Sequence, residues 1–279
     1  MSDSRSSYPK HPRSTVNRYK NIANYDYEAI NSIVNASPVL HVSFPASHDA
    51  DEDPFPAILP MIGVMSSFSS PDAPLSTPME CYLHGYASSR IMRLAPSDPA
   101  AEADPTKEPL GLPVAIASTI VNGIVLALTP NSHSYNYRSA VLHGFATPVT
   151  SLKEKTWAME RITNKVMTDR WAHTRVPPNK TEMTSTQILK VRVVSASAKI
   201  RLGGPHDDRK DLKNDEVRDN VWAGVVPVWQ TYGDPVPAEG NRVAACPDHV
   251  TDFVSEENAK KKAESLKALE EPEKKVRDQ

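Results

Sequence analysis

Apolar residues recur in short segments separated by polar and proline-rich stretches, and this spacing favours β-strands over long helices. In 187–194, Leu189, Val191 and Val193 alternate with a row that carries charged side chains, which predicts a strand with one wet face. The segments predicted as strands on these grounds are 38–44, 57–65, 79–85, 112–120, 124–129, 137–149 and 187–194, and a final apolar segment covers 221–229.

Helical periodicity is confined to a few places. Ile30, Ile33 and Val34 fall on one face of a predicted helix. Ser151 and Glu154 form a capping box that opens a second, longer helix. Because so few helices cannot supply a βαβ alternation, the pattern predicts a mainly β fold with peripheral helices (α+β), in which an antiparallel sheet closes into a barrel.

The dipeptide Asn122-Gly123 lies between two of the predicted strands. Both residue types tolerate positive φ, which a two-residue hairpin turn requires. The sequence therefore predicts a tight β-hairpin here, and this is the clearest local turn signal in the chain.

Three parts of the chain differ in composition. Residues 1–20 are expected to form a disordered arm, 21–250 the barrel domain, and the Lys- and Glu-rich stretch 251–279 a solvated helix or a disordered tail. Proline occurs 25 times, mostly between the predicted elements. The long loops at 66–78 and 96–109 either reshape access to the mouth of the barrel or are inert insertions.

The charges of the chain nearly balance, with 32 Lys and Arg against 34 Asp and Glu and a net charge of −2. Nucleic acid is therefore not expected as a partner. No apolar run reaches the roughly 18 residues of a membrane span and the N-terminus lacks a secretory signal, so we expect a cytoplasmic protein without membrane contact. Cys81 and Cys246 have no second Cys or His at ligand spacing, so no metal site is predicted.

The common nucleotide-binding, metal-binding and hydrolase motifs are absent, and clusters of Ser and Arg at strand ends remain. In the stretch GYASSR a predicted strand ends, and Ser88, Ser89 and Arg90 open a short helix. Hydroxyls, free N–H groups and a guanidinium together suit a phosphate group. The alternative is that Ser88 only caps the helix and Arg90 is a surface charge.

A second cluster, in SHSYNYRSAVLHG, places Arg138 and Ser139 at the start of another strand, from which they could reach the same rim of the barrel. Lys199 lies in a further cluster of hydroxyls and cations. Trp222 offers a flat surface for a planar ring.

Three histidines lie within strand-like runs: His41, His84 and His143. A neutral imidazole in or near the core is the expected role of each, and ligation of haem or of a metal ion is the alternative.

Several ordered motifs, YLHGYASSRIMRL, HSYNYRSAVLHG, SASAK and VWAGVVP, resemble the FMN-binding split-barrel proteins. The closer likeness is to the branch related to pyridoxamine 5′-phosphate oxidase that includes flavin-nucleotide-binding and 5-nitroimidazole-resistance-like proteins. The resemblance covers about residues 20–235. It implies a six-stranded antiparallel split β-barrel and a homodimer with one FMN in each of two clefts between the subunits.

The resemblance also implies site residues. Those expected to bind the cofactor are Pro60, Met61, Ile62, His84, Ser88, Ser89, Arg90, Arg138, Ser139, Lys199 and Trp222. The strand around Ile62 would lie along the isoalloxazine ring, and the SSR motif would take the phosphate. Lys199 and Trp222 would approach from the C-terminal half or from the partner subunit.

The chain departs from its relatives that oxidise pyridoxamine phosphate. They usually carry an Arg at the start of the second strand and two adjacent cations after the serine of the phosphate motif, where this chain has AILPMIG and SSR. The implied function is an FMN-dependent oxidoreductase with another small-molecule substrate, with His84 and Arg138 as candidates for the unassigned catalytic groups. A non-catalytic protein that holds flavin or haem is the alternative, and a dimeric scaffold without a ligand is a third.

Overall fold

The computed structural model describes residues 6–47, 54–96 and 111–270. The chain forms two compact units, bounded at 1–119 with 139–199 for the first and at 120–138 with 200–279 for the second. The predicted loop 96–109 lies outside the described residues from position 97 onwards, as does the end of the predicted tail from 271.

The described residues contain nine strands and six α-helices. The strands are β1 (Ala23–Asn24), β2 (Leu40–Phe44), β3 (Ala57–Met61), β4 (Gly63–Ser66), β5 (Glu80–Tyr86), β6 (Leu112–Leu126), β7 (Ser134–Pro148), β8 (Thr186–Arg201) and β9 (Gly224–Pro227). The helices are α1 (Tyr27–Ala36), α2 (Arg90–Leu94), α3 (Leu152–Val166), α4 (Lys180–Ser185), α5 (Asp215–Asn220) and α6 (Asp248–Lys267). Within the described residues, no helix has both the length and the apolar character that a membrane span needs.

The main sheet closes on itself in the first unit. Its strands follow the order β3-β2-β6-β7-β8-β5-β4. β3 and β4 are consecutive halves of one bent strand: β3 pairs with β2 through Leu40 and Met61, and β4 pairs with β5 through Gly63 and Leu83. Between the halves, the Ile62 carbonyl accepts a hydrogen bond from His84 N at 3.2 Å. Counted with β3 and β4 as one, six strands form the ring, which confirms the predicted fold class, and β1 and β9 lie off this path.

Helices of the first unit cover the sheet as their periodicity predicts. Ile30, Ile33 and Val34 of α1 are buried. α3 begins at the predicted cap, where Ser151 Oγ accepts from Glu154 N. The amphipathic pattern therefore located both helices correctly, because each buries one apolar face.

A polar network lies beneath α3. The Tyr82 hydroxyl donates to Glu154 Oε1 at 2.8 Å, and Lys190 Nζ is 2.9 Å from the same oxygen. Tyr82 is 1% exposed and Glu154 8%, so the carboxylate is held in the interior by two donors. Buried charges of this kind persist only when they are paired and hydrogen-bonded.

The predicted hairpin at Asn122-Gly123 is wrong, because β6 runs without interruption from Leu112 to Leu126. In the second unit, Gly123 pairs with Pro227 of β9, and the Asn122 carbonyl accepts from Val228 N at 3.0 Å and from Ser265 Oγ at 2.7 Å. The chain turns later, after Leu126. Pairing with a distant strand thus outweighs the local turn preference.

Within the predicted arm 1–20, Tyr8 is 5% exposed. Its ring packs edge-on against that of Tyr27, with 4.5 Å between the ring centroids.

In the second unit, α6 covers much of the predicted tail. The buried Asn136 side chain donates to the Gly203 carbonyl at 2.9 Å and to the Ala268 carbonyl at 3.1 Å. These contacts fasten the end of α6.

Candidate functional site

The turn after β5 carries the residues predicted to bind phosphate. β5 ends at Tyr86, and Ala87 N donates to the Ser185 carbonyl at 2.8 Å, which anchors the turn beside α4. Ser89 immediately precedes α2, and Arg90 is the first residue of that helix. Since α2 has only 5 residues, its dipole is small, and the binding capacity of the turn depends on hydroxyl and guanidinium groups.

Ser89 carries an unpaired hydroxyl. Its Oγ is buried, and within the described part of the chain it has no hydrogen-bond partner. A Cβ placed on Gly85 would lie 3.8 Å from this oxygen and 3.5 Å from Met61 Cε. A buried hydroxyl without a partner costs about 1–3 kcal/mol, so a ligand oxygen or a water that bonds to it would be stabilising.

Arg90 is exposed, and its guanidinium forms no hydrogen bond or ion pair with any described residue. Ser88, two positions before it, is also exposed. The turn therefore combines an unpaired cation with two hydroxyls, one exposed and one buried. Guanidinium and hydroxyl groups are among those that can bind a phosphate.

The bent strand lies next to this turn. Met61 is 8% exposed, Pro60 is exposed, and Ile62 is bonded through its carbonyl to His84 N. Met61 and Ser89 lie near the same side of Gly85, which Met92 Cε fills, at 2.7 Å from the position of a Cβ. The predicted ring-binding strand and the predicted phosphate turn are therefore close together.

His84 lies on β5, where its backbone N–H donates to the Ile62 carbonyl of the bent strand. Its side chain remains exposed, yet desolvation by its neighbours lowers its pKa. The imidazole is therefore neutral near pH 7, and it can donate or accept a hydrogen bond without adding charge.

Two further candidates of the first unit are not joined to this turn. Ser139 is half-buried on β7. Lys199 is half-buried on β8, where it pairs with Ala23 of β1. Neither makes a hydrogen bond with the side chains of the SSR motif among the described residues.

Arg138 and Trp222 belong to the second unit. The Arg138 guanidinium is bonded to the Glu264 carboxylate of α6, an ion pair that the sequence did not indicate. Trp222 is 66% exposed, and its ring lies over Gly224, where a Cβ would come within 2.7 Å of it. In this structure Arg138 is thus already paired, whereas the Trp222 ring is open to solvent.

A cavity of about 410 Å³ lies elsewhere in the first unit. Arg13, Phe145 and His143 are among its lining residues. The sequence marked His143 only as one of three strand histidines, and it did not mark Arg13 at all, because 130 positions separate the two in the chain. No spacing rule connects residues so far apart. Within the described ranges, no three His, Cys, Asp or Glu side chains are grouped so that they could hold a metal ion.

Two solved structures share the fold over most of the chain. The flavocytochrome Anf3 from Azotobacter vinelandii is 22% identical over 87% of this chain and 97% of its own, with a TM-score of 0.67. The FAD and haem binding protein from Mycobacterium smegmatis is also 22% identical, over 84% of this chain and 97% of its own, with a TM-score of 0.64. At this identity the likeness concerns the fold.

No curated protein matches the chain significantly. Residues 26–200, which is more than half of the chain and includes the whole ring of strands up to β8, match the family described as pyridoxamine 5′-phosphate oxidase. The chain therefore belongs to the pyridoxamine 5′-phosphate oxidase family and has its split-barrel fold.

Proposed function

We propose that the chain binds FMN, with the phosphate held by Ser88, Ser89 and Arg90, and that it is an FMN-dependent oxidoreductase acting on a small molecule. The observation that carries the proposal is the buried Ser89 Oγ, which has no partner in the described chain and lies beside the unpaired Arg90. A phosphate would satisfy both groups at once. A bound flavin supplies hydride or single-electron transfer, which side chains alone cannot provide.

The bent strand would contact the ring of the flavin. Pro60 is exposed and would offer an apolar surface to the ring, while the buried Met61 lies near Gly85 at the end of the strand that leads to the phosphate turn. His84, whose pKa is lowered by desolvation, would offer a neutral hydrogen-bonding group at the same edge. Its side chain would orient or polarise the flavin or the substrate, and it would not supply positive charge.

The substrate would not be pyridoxamine phosphate. Neither β3 nor β4 contains Lys or Arg, so a second phosphate group would find no cation on the bent strand. We infer a substrate without a phosphate group, which the apolar Pro60 and Ile62 would accommodate. Reoxidation of the reduced flavin by quinones or nitroaromatics, which carry no phosphate, would support this substrate class, and reduction of the bound flavin by pyridoxamine phosphate would contradict it.

The protein would act as a homodimer. Large apolar side chains remain exposed on strands of the first unit, with Ile58 of β3 61% exposed and Val141 of β7 39% exposed. A second copy that covers them would gain apolar burial. Light scattering on the purified chain would measure the subunit number, and a monomer at micromolar concentration would contradict this part of the proposal.

A second candidate function is binding of haem, with or without a flavin and without turnover. Two observations favour it: the two solved structures described above are named for a flavocytochrome and for FAD and haem binding, and the cavity of this chain contains His143.

The absorption spectrum of the purified protein separates these candidates. Flavin bands in the near-ultraviolet and blue, with FMN identified by mass spectrometry after release, are expected for the first function. A Soret band is expected for the second. A colourless protein that binds neither FMN nor hemin on addition would overturn both.

A further inference from the structure

Small side chains line part of the cavity of about 410 Å³. Ser43 of β2 and Ala115 of β6 are directly paired neighbours in the sheet, and both line the cavity. His143 and Phe145 lie two residues apart on β7, so they share one face of that strand, and both line the cavity. Two aromatic rings and several small residues therefore border the same space.

The volume and lining of the cavity are those of a cofactor site. Sites for small molecules and cofactors measure about 300–1,000 Å³ and are mostly apolar with a few convergent polar groups. Here the apolar part includes Phe145, Val194 and Pro113, and the polar part is reduced to a few groups, of which His143 and Arg13 carry ionisable side chains.

His143 lines this cavity, and one of its ring nitrogens has no hydrogen-bond partner in the described chain. This nitrogen is Nδ1, and it is buried.

Positive charge borders the same space. Arg13 lines the cavity, and its Nε lies 2.8 Å from Nδ1 of His11. The guanidinium of Arg192 lies over the ring of Phe145, 5.6 Å from the ring centroid. A ligand with carboxylate groups would find cations at the edge of the cavity without placing a charge among its apolar walls.

We propose that this cavity binds haem, with His143 as the protein ligand to the iron and with Arg13 bonded to a propionate. The inference rests on the second candidate function above and adds its location and ligand. Imidazole is a common ligand of haem iron. A mostly apolar cavity with a cation at its edge suits the porphyrin and its carboxylates. The phosphate turn at Ser88 to Arg90 is not part of this site.

Titration of the full chain with hemin and with iron-free protoporphyrin IX tests the assignment. His143→Ala should weaken hemin binding by at least about tenfold, since even a hydrogen-bond partner of a metal ligand is worth that much. It should also change the Soret band, and added imidazole should restore it. Binding of protoporphyrin IX should stay the same because it needs no iron ligand. His41→Ala is the matched control, since His41 is exposed on β2 and does not line the cavity.

Arg13→Ala should weaken hemin and protoporphyrin IX alike, by about tenfold, because both carry the same carboxylates. The control is Arg18→Ala, another exposed arginine of the same segment that does not line the cavity. FMN affinity and the melting temperature are measured on every variant, which separates loss of this site from misfolding and from failure of the flavin proposal.

Three outcomes would overturn the proposal. One is hemin binding by His143→Ala with unchanged affinity and spectrum. Another is an equal loss of hemin and protoporphyrin IX in that variant, which would indicate a packing role. The third is the absence of hemin binding by the wild-type chain, whether or not FMN binds.

Discussion

The guanidinium of Arg138 is bonded to the carboxylate of Glu264, which lies 126 positions later in the chain. Arg138 begins the run of residues expected to face the flavin, yet its charge is compensated within the second unit by α6. The side chains are 22% and 33% exposed, so the pair is partly shielded from solvent. This pair gives Arg138 a structural role that does not require a ligand.

Glu264→Gln should lower the free energy of unfolding by about 1 kcal/mol, the upper range for partly exposed pairs, because Arg138 loses its partner. The matched control is Glu257→Gln, which removes an i,i+3 pair with Lys260 on the same helix. The cation of this pair is 60% exposed, against 22% for Arg138, so the substitution should change stability by less than about 0.5 kcal/mol. Urea unfolding measures both. Equal effects of the two substitutions would contradict a special role for the pair with Arg138.

Tyr82→Phe should destabilise the fold by about 1–2 kcal/mol, because it removes one of two donors to the buried Glu154 carboxylate. Tyr86→Phe is the control at the end of the same strand, where the residue is 66% exposed. Thermal and urea unfolding of the two variants are compared. If Tyr82→Phe unfolds like Tyr86→Phe, Lys190 alone satisfies the carboxylate.

Lys165 should make stability depend on pH. Burial lowers its pKa to about 8 from the ordinary 10.5, and its Nζ is held by the carbonyls of Val34, at 3.0 Å, and Gly63. Between these two pH values the unfolded state binds more protons than the folded state, so stability gains from this group as the pH rises.

The stability of the wild type relative to Lys165→Met should therefore increase across that window, by at most about 1.4 kcal/mol per pH unit. Lys153→Met, at an exposed position of the same helix, should show no such trend. Urea unfolding at a series of pH values provides the measurement. A constant difference between wild type and Lys165→Met would contradict the burial of an ionisable amine at this site.

Gly144→Ala should be severely destabilising, by roughly 3 kcal/mol or more, because its Cβ would come within 2.4 Å of the Arg192 carbonyl on the neighbouring strand β8. A backbone carbonyl within a sheet cannot move aside as the end of a flexible side chain can. Gly204→Ala, which would meet nothing within 4 Å, should change stability by about 0.5 kcal/mol or less. Normal folding of Gly144→Ala would contradict the close pairing of β7 and β8.

The sequence predicted those elements whose formation depends on residues that are close together in the chain. The apolar face of Ile30, Ile33 and Val34 located α1, and the capping box at Ser151 located the start of α3. The fold class followed from the scarcity of helices. At Asn122-Gly123 the same kind of reasoning failed, since β9, about a hundred residues later, pairs with β6 at the position of the expected turn and β6 continues as a strand.

The site was partly predictable for the same reason. Ser88, Ser89 and Arg90 are consecutive, so their shared turn can be read from the sequence. The partnership of Arg138 with Glu264 and the meeting of Arg13 with His143 depend on long-range packing that no spacing reveals. For His84, the strand could be predicted from the sequence, but the desolvation that lowers its pKa could not.

The affinity of FMN for Arg90→Ala tests the central claim most directly. We expect binding weaker than wild type by about 1.5–3 kcal/mol, roughly tenfold to a hundredfold, because one charge-assisted phosphate contact is lost. Arg93→Ala, an exposed arginine of the same short helix, should leave the affinity unchanged. Equal FMN affinity of Arg90→Ala and wild type, measured by fluorescence titration, would contradict the assignment of the phosphate site.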